Sequence, residues 1–175
     1  MTLRTNNLMR ELLGRKDLDL EGITGSIPEG MLRELASSYE EIDGVVVPTG
    51  WADSFQKTND DETGIECLAS KIHVDAFLPR DTPLADMVGV ALAYARQLRK
   101  RLGTSSLRGP FRVIIGASPK DEESVRDTCV IRFHRMRPGQ QWLKEDLEGY
   151  KSPIMTLDFS LPGTPGTPLK VATPE

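Results

Sequence analysis

The chain has 175 residues, of which 38% are apolar, and its 22 basic against 26 acidic side chains give a formal charge of −4 at pH 7. The apolar fraction is that of a globular protein and excludes an intrinsically disordered chain, and the length suits one domain. The negative charge argues against a protein that holds nucleic acid through its net charge.

Three further features of the sequence bear on location. No apolar run approaches the roughly 18 residues that a transmembrane helix needs, so membrane association is not expected. The first twenty residues carry basic side chains throughout and lack the apolar stretch of a secretory signal. Cys67 and Cys129, the two cysteines, form neither a Cys-x-x-Cys motif nor a disulfide framework. These features predict a cytoplasmic protein with reduced thiols.

Apolar spacing of 3.6 residues predicts three helices. The clearest covers Thr82–Leu102, with Thr82 as N-cap, Pro83 at the first helical position and Gly103 after its basic last turn. Two shorter helices are predicted before it, at Asn7–Arg15 and Pro28–Glu41. The long helix has a full apolar stripe, so we expect it to pack on the core.

Alternation of apolar and polar residues predicts the strands. Within 68–78 the even positions other than 70 are apolar and Lys71, His73 and Asp75 are polar, which favours a strand with one buried face. A polar connection at 118–124 suits a hairpin. The predicted strands are Gly44–Val47, Leu68–Leu78, Phe111–Ala117, Thr128–Met136 and Ile154–Phe159.

This order of elements predicts the fold class α+β: one two-layer domain with an antiparallel or mixed sheet of four or five strands. The long helix would cover one face of the sheet, and the other face would be open to solvent. We expect a helical N-terminal part at 1–41, a sheet-and-helix core at 42–160 and a Pro/Gly/Thr-rich flexible tail at 161–175.

Metal and cofactor sites are not predicted. Cys67, His73, Cys129 and His134 superficially resemble a zinc-ligand set, but residues six apart on a strand lie about 20 Å apart and residues five apart face opposite sides. The loop Gly116-Ala-Ser-Pro119 lacks the glycine spacing of a phosphate-binding loop. Cys129 is interpreted as an ordinary core residue.

The polar sides of the predicted strands suggest one catalytic hypothesis. His73 and Asp75 share a face of one strand, and Arg132 and His134 share a face of another. A histidine oriented by an aspartate could act as a general base, with Arg132 holding an anion. These side chains could equally be the solvated face of half-buried strands.

Charge is segregated along the chain. Residues 34–66 contain nine acidic side chains and one lysine, whereas 96–112 contain six basic side chains and no acid. Such segregation suits docking to a charged protein surface, although a solvated helix end and loop would look the same. An exposed tryptophan would anchor such a contact, whereas a buried one would be core. The predicted partner-binding residues are Glu40, Glu41, Asp43, Trp51, Asp60, Asp61 and Glu62.

The sequence therefore favours a non-catalytic, protein-binding protein. Examples are an immunity protein or inhibitor that blocks a toxin or enzyme, and a subunit of a phage or secretion assembly. The partner would be a basic protein surface or a further copy of the chain. The alternative is a small enzyme that uses His73, Asp75, Arg132 and His134 on the exposed sheet face.

Overall fold

Seven strands and four helices lie in the described part of the chain, which comprises residues 1–14, 26–51, 61–121 and 126–161 of the computed structural model. Short 3₁₀ turns cover Thr49–Trp51, Val74–Phe77 and Leu147–Gly149. The helices are α1 (Asn7–Leu12), α2 (Glu29–Ala36), α3 (Glu62–Ala69) and α4 (Leu84–Gly103). The strands are β1 (Thr2–Thr5), β2 (Tyr39–Ile42), β3 (Val45–Pro48), β4 (Ile72–His73), β5 (Pro110–Ser118), β6 (Thr128–Arg135) and β7 (Ile154–Ser160).

Five strands form one antiparallel sheet in the order β1-β7-β5-β6-β4. The apolar strand β5 lies at its centre, where Val113 stands opposite Phe133 of β6 and Leu157 of β7. Strands β2 and β3 form a separate hairpin. The predicted α+β class, with a long helix and a five-stranded sheet, is confirmed, and the sheet is antiparallel rather than mixed.

Helix α4 covers one face of the sheet. Its buried stripe includes Val88 and Leu98, which share one apolar cluster with Val113 and Ile115 of β5. The N-cap of the helix is Pro83, one residue after the predicted N-cap, Thr82. The predicted position of the long helix is therefore confirmed to within two residues.

The opposite face of the sheet is covered as well, which corrects the expectation of an open face. Ile114 and Ile154 point to this side and pack with Cys67 of α3 and with Leu143 and Leu147. The segment 142–150, which has little periodicity of its own, lies across the strands here. Polar residues in the middle of this face are therefore buried.

The predicted helix at Pro28–Glu41 is wrong in its second half. Helix α2 ends at Ala36, and 39–42 form strand β2. The cause is the dipeptide Asp43-Gly44, where both residues have positive φ (50° and 82°). Two such residues in succession make the tight turn that joins antiparallel strands with the correct twist. The predicted helical part at 1–41 accordingly contains strands β1 and β2 too.

The predicted strand Leu68–Leu78 is also largely wrong. Leu68 lies on helix α3 with 66% of its surface exposed, and only Ile72–His73 pair as a strand. A 3₁₀ turn follows and buries Asp75. Helix α3 starts where the side chain of Asp61 accepts a hydrogen bond from the Gly64 N–H at 2.8 Å, and it continues to Ala69, so it includes the first two residues of the predicted strand.

The outer edge of β6 is closed by side chains as well as by β4. Three side chains accept hydrogen bonds from the N–H groups of β6 that point outward, which blocks further strand addition at this edge. The contacts are Asp75 with Cys129 at 3.1 Å, Ser70 with Phe133 at 2.8 Å, and Glu66 with Arg135 at 2.6 Å.

Glu66 joins several elements at one point. Its carboxylate is fully buried and accepts hydrogen bonds from the Val46 N–H (2.7 Å) and the Arg135 N–H (2.6 Å). The guanidinium of Arg137 donates to both carboxylate oxygens, at 2.6 and 2.9 Å. Helix α3, the hairpin and the end of β6 are therefore held together by one ion pair and its hydrogen bonds.

The predicted tail from 161 is only partly within the described residues: Leu161 is buried, and 162–175 lie outside them. The predicted hairpin connection at 118–124 likewise lies partly outside. No helix in the described ranges combines the length and apolar character needed to cross a membrane.

Truncation of Leu98 tests the packing of α4 on the sheet. Leu98→Ala should lower the free energy of unfolding by about 2 to 5 kcal/mol, because it removes a buried side chain and leaves a cavity. Leu68→Ala, at an exposed helical position, is the matched control and should cost less than about 0.5 kcal/mol. Urea denaturation measures both, and equal losses would contradict the packing described here.

Neutralisation of Glu66 tests the central ion pair. Glu66→Gln should lower the free energy of unfolding by about 3 kcal/mol, because the Arg137 guanidinium stays buried without its countercharge. Glu29→Gln, which breaks the exposed pair with Arg33, is the control and should have little effect. If both variants unfold at the same urea concentration, Glu66 does not have this role.

Candidate functional site

The acidic residues predicted to bind a partner lie on the β2–β3 hairpin and at the start of α3. Asp43 is exposed in the hairpin turn. Glu41 precedes it on β2 and forms a bidentate ion pair with Arg135, at 2.6 and 2.9 Å. Hydrogen bonds from Arg135 lower the pKa of the Glu41 carboxyl, so this group is ionised at neutral pH.

The turn 137–140 brings these two acidic regions together. Arg137 donates to the Gly44 carbonyl in the hairpin turn at 2.7 Å. Three residues later, Gln140 donates to the carboxylate of Glu62 and accepts hydrogen bonds from Thr63. Residues about twenty positions apart in sequence therefore flank one short turn. We call the group Glu40, Glu41, Asp43, Asp61 and Glu62 the acidic surface.

Trp51 lies at the other end of the hairpin from Asp43. It closes the 3₁₀ turn after β3, and the preceding Thr49 N–H donates to the Ser38 carbonyl at 2.9 Å. The indole is 41% exposed, so the interpretation as a core residue is wrong. Exposed tryptophan is the residue type most often found at the centre of a protein interface.

Some members of the acidic surface also make contacts within the chain. Asp61 caps helix α3 through the Gly64 N–H, and Glu62 bonds to Gln140. Glu40 is half-buried, and one of its carboxylate oxygens is buried without a hydrogen bond from the described residues. Asp60, the remaining predicted binding residue, lies outside the described residues.

The four catalytic candidates are not assembled on an exposed face. His134 is 2% exposed and Asp75 is 3% exposed. Asp75 accepts hydrogen bonds from Arg126 and from the Cys129 N–H, and lies 3.8 Å from the half-exposed His73 ring at the sheet edge. The expectation of one solvated charged face is wrong because the segment 142–150 and helix α3 cover the centre of the sheet.

Arg132 contacts an aromatic ring on this covered face. Its guanidinium carbon lies 5.3 Å from the centre of the Trp142 ring, within the range of a cation–π contact. Desolvation lowers the pKa of Arg132, although the group stays charged at any neutral pH. Trp142 is 40% exposed, so this contact lies at the margin of the covered face.

Arg112 and Asp158 form a buried ion pair beside His134. The guanidinium donates two hydrogen bonds to the carboxylate, both at 2.7 Å, across neighbouring strands. His134 faces Arg112 on the next strand. Arg112 is thus already paired, which leaves it unsuited to hold a substrate anion.

The ring of His134 is held by its own strand. Nδ1 lies 2.8 Å from the Arg135 carbonyl oxygen, which fixes the proton on Nδ1 as the donor. Nε2 is buried and has no hydrogen-bond partner among the residues described. Burial lowers the pKa of His134, so the ring is neutral at pH 7.

The thiols behave as core groups. Cys67 and Cys129 are both fully buried and unpaired with each other, and burial raises the pKa of each to about 12. A protonated thiol is neither a nucleophile nor a metal ligand at neutral pH. Within the described ranges, no group of three or more His, Cys, Asp and Glu side chains could hold a metal ion.

Sequence reasoning missed the cations that organise the acidic surface. Arg135 lies near the end of a predicted strand and Arg137 precedes Pro138-Gly139, and basic residues at such positions usually reach solvent, so the sequence predicts no carboxylate partner for either. One local signal was available: Asp43-Gly44 between two apolar strands predicts a hairpin, and so places Glu41 and Val46 side by side.

The neutral state of His134 predicts a pH dependence of stability. In the unfolded chain, the His134 ring has a pKa of about 6.5 and binds a proton below that pH. In the folded chain the pKa is lower and the ring stays neutral, so the free energy of unfolding should fall as the pH drops from 7 to 5. His134→Gln removes this group and should flatten the decline in urea midpoint over that range. An unchanged slope in the variant would mean that other groups cause it.

One family of proteins resembles this chain over nearly its whole length. The model of the Uncharacterized protein PM0498 family matches residues 4–165, from within β1 to beyond the end of β7. No curated protein and no solved structure matches the chain. The matched range contains the acidic hairpin, helix α4 and all but the first residues of the sheet. This chain belongs to the Uncharacterized protein PM0498 family.

Proposed function

We propose that this protein is a non-catalytic cytoplasmic binding protein that docks its acidic surface on a basic protein partner. An immunity protein or inhibitor that occupies a toxin or enzyme would act in this way, and so would a subunit of a larger assembly. The two buried, unpaired thiols are in keeping with a reducing compartment.

The observation that carries the proposal is the convergence of acidic groups on a fixed framework. Asp43 and Glu62 come from different elements and flank the same turn, 137–140. That turn is anchored through Arg137 to the buried Glu66. Charges held in place before binding lose little entropy on association, and complementary charges mainly raise the rate of encounter.

Trp51 supplies the apolar part of the proposed interface. Binding energy in protein interfaces concentrates in a few large aromatic or arginine side chains surrounded by polar contacts. The half-exposed indole at the base of the hairpin and the carboxylates at its turn fit this division. The charges would then govern the association rate and the indole the dissociation rate.

The catalytic hypothesis has less support. A general base has to reach the proton that it abstracts, and His134 is buried with its Nε2 atom enclosed. His73 and Asp75 lie at the β4 edge, on the far side of β6 from the Arg112–Asp158 pair. The geometry therefore favours binding over catalysis.

The acidic surface can be tested without disturbing the fold. The double variant Glu40→Gln, Asp43→Asn removes two charges and leaves the Asp61 cap and the Glu66 network intact; asparagine also tolerates the positive φ at position 43. Its association rate with a cognate partner, sought among the products of neighbouring genes by co-expression, should fall about tenfold at low salt. Surface plasmon resonance across a salt series measures this rate.

Two further variants complete the test. Glu11→Gln, Glu29→Gln removes the same charge from α1 and α2 and should leave the association rate within about twofold. Trp51→Ala should raise the dissociation rate about tenfold or more. If the hairpin variant and its control associate equally fast, the acidic surface is not the docking site.

A further inference from the structure

The two edges of the sheet differ. At the β6 edge, Asp75, Ser70 and Glu66 occupy the outward N–H groups that β4 leaves unpaired. The other edge is β1, which pairs only with β7. Among the described side chains, the one that caps this edge is Arg10, which donates to the Thr5 carbonyl at 2.8 Å.

The register identifies the groups that point outward from β1. The Asn6 N–H donates to the Ile154 carbonyl at 3.2 Å, and hydrogen-bonded pairs alternate along an antiparallel ladder. Arg4 and Thr2 therefore bond inward to β7, opposite Thr156 and Asp158. The N–H and C=O groups of Leu3 and the N–H of Thr5 point away from the sheet, and no residue in the described ranges bonds to them.

We infer that the β1 edge pairs with β1 of a second copy of this chain, antiparallel and about a twofold axis, with Leu3 opposite Leu3 of the second copy. The two sheets then become continuous across the axis. This surface is separate from the acidic surface, so the inference is independent of the proposed function.

Hydrogen bonding selects this register. With Leu3 at the axis, the two Leu3 residues exchange N–H to C=O bonds, and each Thr5 N–H meets the Met1 carbonyl of the second copy. Moving the axis toward Thr5 would require the Thr5 carbonyl, which Arg10 already occupies. The twofold pair therefore bonds through the Leu3 N–H and C=O and the Thr5 N–H, and it does not need the Thr5 carbonyl.

Charge selects the same register. With Leu3 at the axis, each Arg4 lies opposite Thr2 of the second copy, and the next residue across the sheet is Asp158 of that copy. A shift of one residue toward Thr5 would set the two Arg4 guanidinium groups directly opposite each other, which is unfavourable. With Leu3 at the axis, each Arg4 therefore does not face the Arg4 of the second copy, and its guanidinium keeps its hydrogen bond to the Glu145 carbonyl.

Exposed apolar side chains flank this edge. Met1 is 52% exposed and Leu8, on α1, is 37% exposed. Pairing would cover Met1 with the Thr5 end of the second copy. Because β1 has only four residues, the contact is small, and we expect a dimer that dissociates in the micromolar range or more weakly.

Sedimentation velocity over a wide concentration range tests the pairing, with the full chain and any tag at the C-terminus. The wild type should shift from monomer toward dimer as concentration rises. Leu3→Pro removes an outward N–H, which an edge strand tolerates, together with a half-buried side chain that packs on the core, and it should remain monomeric. Leu3→Ala loses the same packing but keeps the N–H, so it is the control and should still form the dimer.

A charge swap at the exposed Thr2 provides a second measurement that does not depend on proline. Thr2→Arg sets like charges opposite Arg4 of the second copy and should weaken dimerisation about tenfold, whereas Thr2→Glu should strengthen it about threefold. The effect on the stability of a single copy should have the opposite sign: there Thr2→Arg is the more favourable substitution and Thr2→Glu the less favourable one, because position 2 lies beside Asp158. A general effect on folding therefore cannot imitate this pattern.

Ser118→Arg and Ser118→Glu, on an exposed residue of β5, carry the same charges away from the edge and should leave the dimer unchanged. A wild type that stays monomeric at the highest soluble concentration would overturn the inference. So would a dimer that Leu3→Pro leaves intact, or one that responds equally to Thr2→Arg and Thr2→Glu.

Discussion

The buried carboxylate of Glu66 is the constraint on which the rest of this structure depends. A charge with no exposed surface is tolerated only when its hydrogen-bonding positions are filled, and here Val46, Arg135 and Arg137 fill them. Val46 lies in the hairpin, whereas Arg135 and Arg137 lie far from it in sequence, at the end of β6 and in the turn that follows. Satisfying one carboxylate therefore fixes the relative positions of these elements, and with them the placement of Asp43 and Glu62.

Burial of ionic groups recurs on the side of the sheet away from α4. The Arg112–Asp158 pair and His134 are buried on the same face as Ile114, which packs with Leu143, Leu147 and a partly buried Tyr150. The apolar side chains exclude water, which strengthens the ion pair and keeps the imidazole neutral. Polar residues on this face thus have a structural explanation that does not require a substrate.

The sequence predicted best where one apolar pattern extends over many residues. Helix α4 and strands β5, β6 and β7 each bury enough side chains for periodicity to determine their type. Prediction failed where a few local contacts decide the structure: the Asp61 cap made a helix of 62–69, and the Asp43-Gly44 turn ended α2 early. The placement of Arg135 and Arg137 against Glu41 and Glu66 could not be predicted, because it depends on contacts between residues that are distant in sequence.

The pairing of β1 with β7 affects how the chain can fold during synthesis. Thr2 stands opposite Asp158, so β1 finds its neighbour in the sheet only after all the other strands of the sheet have been made. Strand β5 can pair with β6 earlier, through a short connection. Contacts so far apart in sequence form slowly because a long loop has to close first. The residues of β1 can therefore join the sheet only after β7 has been made, and their pairing closes the longest loop in the sheet.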